Sequence, residues 1–235
     1  MSICITNLNA HYGKSHVLQG VSLSVAAGES VCLLGRNGVG KSTTLKAIMG
    51  LVPATSGKIT WGGKDIQNQA PHKISGVGIG YVPEERRVFS NLTVRENLEV
   101  AVRSPARARG PRWTMAEIFH YFPILDQRQQ QRAGTLSGGE QQMLTLARSL
   151  MTSPSMLLVD EPTEGLAPQL IETIMDMMKA IEDRGVGLLI VEQSLNVAAA
   201  LARRAYVMSK GRIVFDGNVE SLRDDNQVRK KYLQV

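Results

Sequence analysis

The segment Gly35-Arg36-Asn37-Gly38-Val39-Gly40-Lys41-Ser42 constrains this chain more than any other feature, because it fits the pattern G-x-x-x-x-G-K-[ST] in a fitting context. The apolar run 31–34 precedes it and reads as a fully buried strand. Leu45, Ile48 and Met49 follow at helical spacing, with Gly50 and Pro53 as stop signals. A strand, a glycine-rich turn and a helix start in that order aim backbone N–H groups at an anion, and the helix adds its positive end. Lys41 suits the β- and γ-phosphates of a nucleotide, and the Ser42 hydroxyl suits Mg²⁺. Gly35, Arg36, Asn37, Gly38, Val39, Gly40, Lys41, Ser42 and Thr43 are therefore the candidate phosphate cradle. Such a loop says that phosphates are held, not what the energy is used for.

Size and composition set outer bounds. With 235 residues, 43% hydrophobic and 20% charged, the chain suits one large globular domain or a core with an inserted subdomain. No stretch approaches the roughly 18–20 apolar residues that span a bilayer. Residues 1–10 lack a basic patch followed by an apolar run, so no secretory signal is expected and any membrane role needs partner subunits. The net charge of +6 raises nucleic acid as a partner, but the basic residues are scattered. Their densest group, Arg103, Arg107, Arg109 and Arg112, lies among Pro105, Gly110 and Pro111 and reads as a solvated connector. Cys4 and Cys32 lie in short apolar segments and read as buried thiols.

Periodicity divides the chain in three. Ile3 and Ile5, then Val21, Leu23 and Val25, then Ile59 and Trp61 alternate with polar neighbours, as strands do. From about 88 to 152 the pattern turns helical: Thr93 and Glu96 form a capping-box signature, and Met143, Leu144, Ala147, Leu150 and Met151 mark a long apolar face. The last third alternates again. It has a strand at 156–159, a helix carrying Leu170, Ile171, Ile174, Met175, Met178 and Ile181, and a strand at 187–191. Beyond these come a helix over Val197, Ala198, Leu201 and Ala202, then a hairpin turning at Lys210-Gly211.

Two further segments carry chemistry. Met156-Leu157-Leu158-Val159-Asp160-Glu161 is an apolar strand ending in two carboxylates, which in a parallel sheet face the ligand crevice. Asp160 suits Mg²⁺, and Glu161 suits polarising an attacking water. In Leu136-Ser137-Gly138-Gly139-Glu140, Ser137 and Glu140 make another capping box, and the glycines expose N–H groups at the helix start. This is a second anion site, separate in sequence from the first. One chain thus carries two half-sites for a triphosphate, as expected if two chains pair head to tail.

Gly35–Ser42, Leu136–Gln142 and Leu157–Glu161, in this order along the chain, resemble the Walker A, signature and Walker B motifs of ABC ATPases. The resemblance covers essentially the whole chain. It implies an α/β fold with a RecA-like P-loop core, an antiparallel β subdomain and a helical subdomain inserted at about 88–152. It also implies ATP and Mg²⁺ as ligands and an ATPase activity. Tyr12 falls where the family stacks an aromatic ring on adenine.

Three positions depart from the general pattern. Glu84 stands where a glutamine usually contacts Mg²⁺ and γ-phosphate, Ala167 where an aspartate is usual, and Gln193 where a histidine usually meets the γ-phosphate. In these departures the chain resembles the shorter ATPase of branched-chain amino acid importers; Glu164 before Gly165 also fits the related urea importers. The resemblance then implies a homologous ATPase partner, as heterodimer in the transporter or homodimer alone. It also implies two transmembrane permeases, a solute-binding protein acting indirectly, and a place at the cytoplasmic face of the inner membrane. Glu161, Gln193 and Lys41 are the expected catalytic residues, with Ser42, Glu84 and Asp160 on the metal. A soluble ATPase of the same type acting on nucleic acid is the rival of another class, disfavoured because no long coiled-coil insertion separates the nucleotide motifs.

Overall fold

The computed structural model describes residues 1–102 and 109–233. The chain opens with an antiparallel hairpin, β1 (Ile3–Tyr12) and β2 (Ser15–Val25), followed by β3 (Ser30–Leu34) and α1 (Lys41–Ile48). Next come β4 (Ala54–Trp61), the short β5 (Lys64–Asp65), α2 (Pro71–Gly76) and β6 (Ile79–Val82). Helices α3 (Val94–Ala101), α4 (Met115–Tyr121), α5 (Pro123–Gln127) and α6 (Gly138–Met151) precede β7 (Met156–Asp160). The chain continues with α7 (Pro168–Asp183), β8 (Gly187–Glu192), α8 (Leu195–Leu201), β9 (Arg204–Ser209), β10 (Arg212–Asn218) and α9 (Val219–Asp224).

The strands form two sheets. One runs β2-β1-β4-β5 and is antiparallel; the other runs β10-β9-β3-β8-β7-β6, parallel except at the β10 edge. The central strands β3, β7 and β8 are buried at every residue, as parallel strands covered on both faces must be. Their alternate side chains feed two separate cores. Cys32, Leu34, Leu157, Val159, Leu188 and Ile190 pack with α6, α7 and α8 on one face. Val31, Leu33, Leu158, Leu189 and Val191 pack with α1 and the antiparallel sheet on the other. The parallel pairing of β3 with β8 and of β8 with β7 brings their carboxyl ends, and the loops that leave them, together along one edge.

The expected α/β fold is present. Among the described residues between β6 and β7 no strand occurs, and three of the helices there begin with a capping box: Thr93–Glu96, Thr114–Glu117 and Ser137–Glu140. One expectation is corrected. Cys4 is exposed, because the alternation that buries Ile3 and Ile5 turns the residue between them outward; Cys32 is buried as expected. Of the arginine cluster, Arg103 and Arg107 lie outside the described residues. Arg109 and Arg112 are exposed, although the N–H groups of Arg109 and Gly110 both donate to the Ser153 carbonyl. No helix among the described residues is long and apolar enough to cross a membrane.

Candidate functional site

The loop 35–42 leaves β3 and wraps the start of α1. Gly40 is the N-cap, with φ of 112°, a conformation L side chains rarely adopt, and a Cβ there would come 3.0 Å from Leu18 Cδ2. At Gly35 a Cβ would lie 2.5 Å from the Met208 carbonyl oxygen, so the loop can run this close to β9 only without a side chain. Lys41 is buried, and its ammonium donates to the carbonyls of Gly35 at 2.9 Å and Arg36 at 3.1 Å.

The ends of β7 and β8 complete the cluster. Lys41 Nζ lies 3.2 Å from Glu161 Oε1, and Gln193 Nε2 donates to Glu161 Oε2 at 2.6 Å. Ser42 Oγ donates to Asp160 Oδ1 at 2.9 Å. The Thr163 hydroxyl donates to Glu192 Oε1 at 2.8 Å, and the Gln193 N–H donates to Glu192 Oε2 at 3.2 Å. Glu161 itself has φ of 45°, a strained value for a side chain of this size. A cavity of about 290 Å³ opens over this cluster, lined by Val17, Asn37, Gly38, Gly40, Lys41, Ser42, Thr43, Glu84, Glu161 and Glu164.

The carboxylates are differentiated by their surroundings. Burial pushes Asp160 up to about 6, the charges of Glu84 and Glu161 add to this, and the Ser42 hydrogen bond opposes it. Burial also pushes Glu161 up, but hydrogen bonds from Glu164 and Gln193 and the charge of Lys41 outweigh it and hold the group below its ordinary value. Glu164 rises to about 7, first because it shares a hydrogen bond with Glu161, then because of burial. Glu161 is thus the more acidic of two neighbouring carboxyls, held low while Glu164 is held high. Asp160 is a buried carboxylate without a cation within ion-pair distance among the described residues. With the Ser42 hydroxyl and the Glu84 carboxylate it offers a hard, all-oxygen donor set suited to Mg²⁺.

The other expected residues are placed elsewhere. Ser137 caps α6 with both bonds of the box formed, the Glu140 N–H to Ser137 Oγ at 3.4 Å and the Ser137 N–H to Glu140 Oε2 at 2.8 Å. Ser137, Gly138 and Gly139 do not line the Lys41 cavity; Gly138 lies against the Arg86 guanidinium and Gly139 against Leu170. Tyr12 is exposed at the end of β1 and does not line the cavity; Val17 of the following strand does.

A family model described as ABC transporter matches residues 18–164, more than half of the chain. The chain belongs to the ABC transporter ATPase family. A high-affinity branched-chain amino acid transport ATP-binding protein, BraG of Pseudomonas aeruginosa, is 42% identical over 234 residues, covering 96% of this chain and 97% of the relative. The lipopolysaccharide export system ATP-binding protein LptB of Haemophilus influenzae is 35% identical, covering 97% and 95%. Among solved structures, the ADP conformation of MJ1267, an ATP-binding cassette of an ABC transporter, superposes with a TM-score of 0.83 at 28% identity over 98% of both chains. The fold is that of the ABC ATPases, and the activity is ATP hydrolysis by a transporter ATPase.

In this ABC ATPase the structure gathers Walker A, the Walker B carboxylates and Gln193 into one cluster and leaves the signature residues outside it. Glu192, Thr163 and Tyr81 were not expected here from the sequence; the Tyr81 hydroxyl donates to Asp160 Oδ2 at 3.4 Å. Glu192 carried a readable signal: like Asp160, it is a charge at the end of a fully apolar strand.

Proposed function

We propose that this ABC ATPase energises the import of branched-chain amino acids. The observation that carries this reading is the full-length identity of 42% with BraG, stronger than the 35% with LptB. The substitutions Glu84, Ala167 and Gln193 agree with it. In this reading the chain sits at the cytoplasmic face of the membrane, paired head to tail with a homologous ATPase and bound to two permeases, with a solute-binding protein supplying the solute.

ATP binds with its phosphates on Gly35–Ser42 and its base near Tyr12 and Val17. Ser137 and Gly139 of the opposite chain close over the γ-phosphate. Ser42, Asp160 and Glu84 would hold Mg²⁺, which when bound neutralises charge between the β- and γ-phosphates. Glu161 accepts the hydrogen bond of the attacking water, Gln193 holds that carboxylate in place, and Lys41 draws the γ-phosphate toward both. Water oxygen bonds to phosphorus as the bond to the ADP oxygen breaks and the water proton passes to Glu161, giving ADP and phosphate.

Closure moves the helical insert at about 88–152, and the motion reaches the permease through a groove beside β6. This groove, about 480 Å³, includes Met49, Leu51, Pro83, Phe89, Val100 and Arg148. Phe89 is exposed there, with the Arg148 guanidinium 4.1 Å from its ring centroid.

Uptake of labelled leucine tests the reading in cells lacking this chain. Wild type restores uptake, and the E161Q variant does not. Normal leucine uptake in the deletion strain, with urea uptake or lipopolysaccharide export lost instead, overturns it in favour of the two related assignments.

A further inference from the structure

Glu192 is a buried carboxylate at the site for which the proposed hydrolysis has no task. It is 4% exposed, ends β8, and has no cationic side chain within ion-pair distance among the described residues. A carboxylate buried on these terms is costly unless its oxygens are occupied. Both oxygens are: Oε1 accepts from the Thr163 hydroxyl at 2.8 Å and Oε2 from the Gln193 N–H at 3.2 Å.

These bonds close a ring. Glu161 leads by two residues of backbone to Thr163; Thr163 is held by Glu192; Glu192 holds the Gln193 backbone; and the Gln193 amide returns to Glu161 Oε2 at 2.6 Å. A further tie comes from the Glu161 N–H, which donates to the Val191 carbonyl at 3.0 Å. The backbone at Glu161 is in the left-handed region with φ of 45°, so the turn after β7 persists only if its surroundings hold it.

We infer that Glu192 and Thr163 form a buried clip that positions the Glu161–Gln193 pair for hydrolysis. A carboxylate suits the clip because the Thr163 hydroxyl and the Gln193 N–H both donate to it. A glutamine would keep both contacts only if the Thr163 hydroxyl reversed to accept its N–H, whereas a carboxylate accepts from both without that change. Neither residue of the clip lines the Lys41 cavity, so its effect falls on the geometry of Glu161 and Gln193 and not on nucleotide affinity. The inference rests on the proposed role of Glu161.

The test compares T163V, E192Q, T163V/E192Q and E161Q in the full-length chain, with steady-state turnover, ATP affinity and thermal unfolding measured for each. The clip predicts that T163V and E192Q each lower kcat by about tenfold to a hundredfold, the scale set by small misplacements of a catalytic group. ATP affinity stays within about twofold, because the phosphate cradle is untouched. The double variant is no slower than the slower single one, because both break the same ring, and T163S recovers turnover. Wild-type kcat in T163V, or equal losses of kcat and ATP affinity, overturns the clip; if E192Q does not fold, T163V and T163S decide. E161Q separates the two readings. Stalled E161Q beside active T163V removes only the clip, whereas active E161Q removes the role of Glu161 and the clip with it.

Discussion

Lys41 and Glu161 form a buried ion pair, Nζ to Oε1 at 3.2 Å, with 3% and 6% of their side chains exposed. One residue belongs to the phosphate loop and the other to the end of β7. The group that draws in the γ-phosphate is therefore tied directly to the group that holds the attacking water. Removing one partner of such a pair leaves an uncompensated buried charge, at a cost of about 3–5 kcal/mol where nothing else compensates it. Gln193 still bonds Glu161, so the expected loss for Lys41→Met is smaller, about 2 kcal/mol. Adding Glu161→Gln should recover part of that loss, since the stranded charge is removed. A double-mutant cycle by urea unfolding measures this coupling, and strictly additive losses would dissolve the pair as an energetic unit.

Gly40 sets the entrance of α1 with φ of 112° and close contacts to Leu18 and Val17. Gly40→Ala should therefore destabilise the fold by about 1–3 kcal/mol and weaken ATP binding, because the strained turn relaxes by moving the N–H groups that face the phosphates. Calorimetry with ATP and a thermal melt check the two effects separately.

Phe89 and Arg148 flank the groove proposed for the permease. Phe89→Ala should leave turnover of the isolated chain near wild type while lowering recovery of permease subunits with it from membranes. Full recovery of the assembly would detach the groove from this role.

Glu117 gives a pH signature. The Thr114 backbone N–H, the Arg184 guanidinium and the Thr114 hydroxyl hold its carboxyl down to about 2, well below its ordinary value of 4.5. A folded-state pKa below the unfolded one contributes stability above about 4.5 that is lost as pH falls toward 2. The group is partly exposed and screened, so Glu117→Gln should cost less than about 1 kcal/mol near neutrality. That difference should shrink steadily below pH 4.5 and vanish near 2, as followed by urea unfolding across the range.

Much of this was readable along the chain because the informative residues are contiguous. The phosphate loop, the Ser137–Glu140 cap and the Asp160–Glu161 strand end each lie within eight residues, and the structure forms each as its local chemistry dictates. The contacts that organise the site are different in kind. Thr163 meets Glu192, and Gln193 meets Glu161, only because β7 and β8 run side by side in parallel, a pairing the sequence does not spell out. Cys4 lies in an apolar segment yet is exposed, because the two-residue alternation governs which face a strand residue takes. Tyr12 stands out only by resemblance, whereas Val17, a strand residue that belongs to no motif, lines the cavity.

The most direct test of the central claim is single-turnover and steady-state ATP hydrolysis by the Glu161→Gln variant, alongside its ATP affinity. The substituted amide would keep the side-chain shape and the reach to Gln193 while losing the acceptor charge. The account predicts ATP affinity within about twofold of wild type and turnover slowed about a hundredfold or more, the scale for loss of a positioned base. Turnover at the wild-type rate in a folded, ATP-binding variant would contradict it.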